Sequence, residues 1–114
     1  MAASHISPHQ RAAEAFARRA RKQYGETIES IILYGSVARG EERGVDSDVD
    51  LLVVIRDAVD KTEFEEKVRD LAYEIELDRG IVLSLVVRSA NEYERQQRSP
   101  FFRHVRRDAA ILYG

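Results

Sequence analysis

"YGSVARGEERGVDSDVDLLVVI", residues 34–55, decides the fold of this 114-residue chain. Gly35-Ser36 closes a β-branched, apolar run, "TIESIILYG" at 27–35, which reads as a strand. "DVDLLVVI", 48–55, reads as a second strand, and its continuous apolar run implies burial on both faces. Between them lies a polar loop, 36–47, with Gly40 and Gly44 and one helical turn expected near Val37 to Glu41. The second strand opens on Asp48 and Asp50, which alternation places on one face. Two carboxylates side by side at a buried strand repel, and one takes a raised pKa unless a cation stands between them. A hard divalent ion such as Mg²⁺ (or Mn²⁺) meets that need, because it binds one or two carboxylates together with phosphate oxygens. The preceding loop offers the means to hold phosphate. Gly35 permits close backbone approach, Ser36 brings a hydroxyl and an N–H, and a helical turn at Val37 would aim N–H groups at an anion. Arg39 could add a charge-assisted contact, although a loop arginine is more ordinarily a solvated charge.

Working outward, Ser7-Pro8 is a helix entry, with serine as cap and proline at the first helical position. The segment to about Tyr24 alternates alanines and Phe16 with arginines, so it forms an amphipathic helix that Gly25 stops. After the second strand, Asp60 and Thr62 are candidate caps for a helix at 61–78. Its Phe64, Val68, Leu71, Ala72 and Ile75 recur at helical spacing, and its remaining positions alternate in charge sign. "IVLSLVV", 81–87, is a third strand, followed by Ser89 and Glu92 in capping-box spacing. Ser99-Pro100 opens a last helix to about Asp108, and "AILYG" is a short edge strand. The order helix, strand, strand, helix, strand, helices defines an α/β (α+β) layer, one small sheet flanked by helices. The whole, 1–114, is expected to be a single domain.

Composition narrows the function classes. Net charge is −2, too balanced for a dedicated nucleic-acid or membrane binder. Cysteine is absent, which removes disulfides and thiolate metal sites. No apolar run approaches the roughly 20 residues that span a bilayer, and no signal peptide is visible, so a cytoplasmic protein is expected.

Taken together, Gly35-Ser36, eleven residues, and Asp48-Val49-Asp50 in an apolar strand resemble the signature of the minimal nucleotidyltransferases of the DNA polymerase β superfamily. "GSVARG" and "SDVDLLVV" are both close to that family's wording, and the element order extends the likeness over 27–87. The resemblance implies a polymerase-β palm-like fold with a small mixed sheet, and ATP or another NTP bound with Mg²⁺. Gly35, Ser36, Arg39 and Ser47 would hold the nucleotide, and Asp48 and Asp50 would be the catalytic metal ligands. Nucleotidyl transfer to a hydroxyl, releasing pyrophosphate, would follow the two-metal scheme. It also implies a third carboxylate on the next strand. Here that position falls at Val82 or at Ser84, neither acidic, with Glu76 and Asp78 just before the strand as substitutes. Small members are often encoded with a helical (HEPN-type) toxin as its antitoxin, so a partner protein or a homodimer is expected; nucleic acid is not required. The alternative is a catalytically impaired nucleotide-binding or partner-sequestering module.

Other residues read more plainly. His5, His9 and His104 show no ligand spacing and are expected to be structural or at the surface. Tyr73 and Tyr93 are expected in the core or at its boundary. Arg95, Arg98, Arg103, Arg106 and Arg107 make a basic C-terminal helix face that is usually solvated.

Overall fold

The computed structural model describes residues 6–41 and 47–114; Gly44 and His5 lie outside the described residues. Helix α1 (Pro8–Tyr24) begins where expected. The Ser7 hydroxyl accepts the Gln10 N–H at 3.1 Å, and the Gln10 side chain accepts the Ser7 N–H at 3.3 Å. Strand β1 (Ile28–Tyr34) runs into a single turn of helix, α2 (Gly35–Ala38), which starts two residues earlier than the spacing suggested. Strand β2 (Val49–Ile55) leads to α3 (Lys61–Arg79). Asp60 rather than Thr62 caps that helix, accepting the Glu63 N–H at 3.1 Å. Then follow β3 (Leu83–Ser89), α4 (Ala90–Arg95), α5 (Pro100–Asp108) and β4 (Ala110–Tyr113). Ser89 and Ser99 cap α4 and α5 as their sequences predict.

The sheet order is β3-β2-β1-β4. β1 pairs antiparallel with β2 and β4, and β2 pairs parallel with β3 across the α3 crossover, so the sheet is mixed. Strand alternation divides its side chains between two cores. Ile31, Leu33, Leu51, Val53, Leu85 and Val87 pack with α1 and α3. Ile32, Tyr34, Leu52 and Val54 pack with Phe102 and Val105 of α5. Asp50 and Ser84 share the parity of this second set, so they lie on the α5 face.

The third strand begins two residues later than expected. Val82 precedes it and is 52% exposed, while its carbonyl accepts the Val49 N–H at 2.9 Å. The α3 surface carries the ion pairs its charge alternation suggested: Glu63 with Lys67 at 3.7 Å and Glu65 with Arg69 at 3.8 Å. Tyr73 corrects an expectation: it is 59% exposed. At about 100° per residue it sits roughly 200° around the helix from Leu71 and Ile75, which face the core. Tyr93 does pack inward, edge-on to Phe102 at 5.4 Å.

Candidate functional site

The site is built on one row of the sheet. Tyr34, the last residue of β1, is the partner of Asp50 in β2, and Asp50 is the partner of Ser84 in β3. Immediately after Tyr34 the chain turns sharply at Gly35, whose φ is +78°. A Cβ there would lie 2.5 Å from the Asp50 Oδ2. The glycine therefore lets the β1–α2 corner press directly against the carboxylate. Ser36 follows in α2 and lines an open depression of about 570 Å³ with Arg39, Glu41 and Ser47.

Electrostatics mark the same row. The Asp50 carboxyl is held above its ordinary value, first by burial and then by the charge of Asp48, with His104 acting the other way. Tyr34 is pushed up to about 12 by burial and by Asp50, against an opposing effect of Arg88. Asp48 is exposed and Asp50 half-buried. The donor set is two hard oxygen ligands that disfavour each other's charge, which is the environment a divalent cation relieves. Among the described residues no group of three or more His, Cys, Asp or Glu is gathered. Ser84 stands beside Asp50 where a third carboxylate would complete the set. Glu76 and Asp78 belong to α3 on the opposite side of the sheet, and the Glu76 carboxylate accepts the Leu83 N–H at 2.7 Å. They do not substitute.

Arg39 is brought to the site but is engaged. Its Nε donates to Glu41 at 2.7 Å and its Nη1 to Asp108 at 2.6 Å, which ties α2 to the end of α5. Its direct role is thus to brace the corner. His104 was not picked out by sequence spacing. It stands edge-on to Tyr34 with ring centroids 6.4 Å apart, and its Nδ1 accepts from Arg107 at 3.0 Å. The available signal was helical: His104 lies three residues after Phe101, whose ring also meets Tyr34, at 5.7 Å. His9 is buried in the first turn of α1, away from this row.

A pH prediction follows from Asp50. Its pKa is raised on folding from an ordinary 3.8, so the folded chain binds its proton more tightly than the unfolded one. Stability is therefore lost as pH rises through that range, and the cost persists at neutral pH. Asp50→Asn should raise the melting temperature of the metal-free protein at pH 7, and the gain should shrink as pH falls below about 4. Thermal melts across pH check this; a gain that is constant with pH would contradict it.

The sequence places the chain in a nucleotidyltransferase family. It belongs to the family described as "Nucleotidyltransferase domain", whose model matches residues 14–110. A Methanocaldococcus jannaschii protein named "putative protein adenylyltransferase" is 29% identical over 104 residues, covering 91% of this chain and 97% of the relative. A crystal structure of "a putative nucleotidyltransferase" from Sulfolobus solfataricus aligns with TM-score 0.45 and 18% identity, over 96% of this chain and 90% of that one. No helix among the described residues is long and apolar enough to cross a membrane.

Proposed function

We propose that this chain binds ATP with Mg²⁺ at Asp48 and Asp50 and transfers AMP to a hydroxyl of a partner protein. The observation that carries this reading is the Gly35 corner pressed against Asp50, which joins an anion-holding turn to paired carboxylates. The Ser36 hydroxyl and N–H hold phosphate oxygens, and Arg39 keeps α2 in place through Asp108. Asp48 and Asp50 hold the metal, which when bound neutralises phosphate charge and orients the triphosphate. The acceptor oxygen forms a bond to the α-phosphorus as the bond from that phosphorus to the bridging oxygen breaks. Pyrophosphate departs with the electron pair, and the hydroxyl proton passes to water, since Ser84 is not a base. The ATP preference is supported by the name of the archaeal relative.

A second reading is favoured by Ser84 itself. Lacking a third carboxylate, the chain would bind nucleotide without rapid turnover and act by holding a partner, such as a helical HEPN-type toxin.

Calorimetry of ATP with and without Mg²⁺ tests the site common to both readings. Asp50→Asn should weaken Mg²⁺-dependent affinity about tenfold, or about 1.4 kcal/mol, by removing one of two charged ligands. Equal affinities in wild type and variant would refute the site.

A further inference from the structure

The sheet edge farthest from β3 carries groups that this scheme leaves unused. Strand β4 pairs with β1 on one side, and among the described residues no strand pairs with its other side. Neither charge nor proline guards that edge, only its shortness and one irregularity in register. Ile111 is 67% exposed there. An open groove of about 290 Å³ runs between β4 and α1, lined by Glu14, Ala17, Arg18 and Arg21 with Ile111 and Leu112. The four α1 positions are spaced by three, four and seven, so they form one stripe of the helix. The stripe is polarised along its length. The Arg21 guanidinium lies 5.6 Å from the centre of the Tyr113 ring, at the C-terminal end of β4. Glu14 lies seven residues back, about 10 Å along the helix at roughly 1.5 Å per residue, at the other end of the groove. Glu14, Arg18 and Arg21 join none of the ion pairs among the described residues.

We propose that this groove and edge are the surface on which a second copy of the chain docks, in a two-fold dimer. A two-fold axis perpendicular to the sheet at Ile111 sets two β4 edges side by side in opposite directions. It also lays the two α1 helices antiparallel on one face of the joined sheets. The exchange of ends selects the occupant. It brings Glu14 against the partner's Arg21, and Arg21 against the partner's Glu14, so the polarised groove is complementary to itself. Arg18 falls opposite the partner's Ala17, whose methyl leaves room for the arginine stem. Ile111 is the cross-strand neighbour of Ile32, on the α5 side of the sheet, and there it meets the partner's Ile111. Ala110 and Leu112 pack against the other core and stay beneath the helices. An edge of four residues is short, so the ion pairs and Ile111 carry much of the contact and the dimer is reversible. The α3 surface suits a second copy less well. Tyr73 and Leu77 are exposed there, but Glu66 and Asp70 flank them on the same side of the helix, so two copies would set acid against acid.

Sedimentation equilibrium of the full chain reads the dimer directly. Glu14→Arg and Arg21→Glu should each weaken it about tenfold, because each turns two attractive contacts into two repulsive ones. The double variant, Glu14→Arg with Arg21→Glu, exchanges the ends and should recover to within about threefold of the wild type. Circular dichroism melts on each variant report that the fold is kept. The absence of cysteine gives a second reading. Ile111 faces its own copy at the axis, with Cα atoms about 4.5–5.5 Å apart across an antiparallel pair, within disulfide reach. Under mild oxidation Ile111→Cys should therefore form a linked dimer about tenfold faster than Tyr73→Cys, whose site is exposed to a similar degree. A chain that stays monomeric at millimolar concentration, single variants that dimerise like the wild type, or no recovery in the double variant would each overturn the assignment. Equal cross-linking at positions 111 and 73 would do the same. So would dispersal of the dimer by an equimolar single-stranded oligonucleotide, which would give the Arg18 and Arg21 stripe to nucleic acid instead.

Discussion

Gly35→Val is expected to abolish Mg²⁺-dependent nucleotide binding while leaving the chain folded. Two physical effects add. A β-branched residue at φ +78° is strained by roughly 1–3 kcal/mol. Its Cβ would also sit 2.5 Å from Asp50 Oδ2, so the carboxylate must swing out of line with Asp48. A domain of this size commonly has about 5–15 kcal/mol in reserve, so circular dichroism should show a folded protein with a lower melting temperature. Gly35→Ala supplies the same Cβ with less strain and should lose binding as completely. Gly80→Ala is the control. Gly80 has φ +68° at the end of α3, yet a Cβ there meets nothing within 4 Å among the described residues. It should lower stability and leave nucleotide affinity intact. Retained binding in Gly35→Ala would mean that Asp50 is not held by this corner.

Ser84→Asp is expected to raise the rate of AMP transfer by roughly 10²–10⁴-fold, the usual worth of a positioned proton acceptor. The register selects Ser84 over Val82. Ser84 is the direct partner of Asp50 on the same face, whereas Val82 lies before the strand and is 52% exposed. A third carboxylate next to Asp50 and Asp48 adds repulsion, so the metal-free variant should melt lower than wild type. Mg²⁺ should then raise its melting temperature by more, because the ion binds the folded state alone. Transfer of labelled AMP to a supplied acceptor protein, with melts at several Mg²⁺ concentrations, reads both effects. A wild-type rate already equal to that of the variant would show that two carboxylates suffice.

Much of this architecture is written in local chemistry. The caps at Ser7, Asp60, Ser89 and Ser99 act within three residues of themselves, so short-range patterns reveal them. The Gly-Ser corner and the Asp pair were legible because one strand ends and the next begins at the same edge of the sheet. The start of β3 was less so. "IVLSLVV" is apolar at nearly every position, and only pairing with β2 decides which residue comes first. Arg39 shows a second limit: its partner Asp108 is 69 residues away, and no local pattern announces the pair. His104 reaches the site through α5 packing against Tyr34, a property of the assembled fold.

The pairing of Tyr34 with Asp50 has a consequence for how the chain finds its native state. If β2 slid by one residue against β1, every side chain would change faces. Asp48 and Asp50 would then enter the core beneath α1 and α3, among Phe16, Val68 and Leu71, and Leu51 and Val53 would turn away from it. Such a chain would carry two buried carboxylates with no cation in reach. The residues assigned here to chemistry therefore also act as proofreaders of assembly, making the misaligned hairpin costly before any nucleotide is bound.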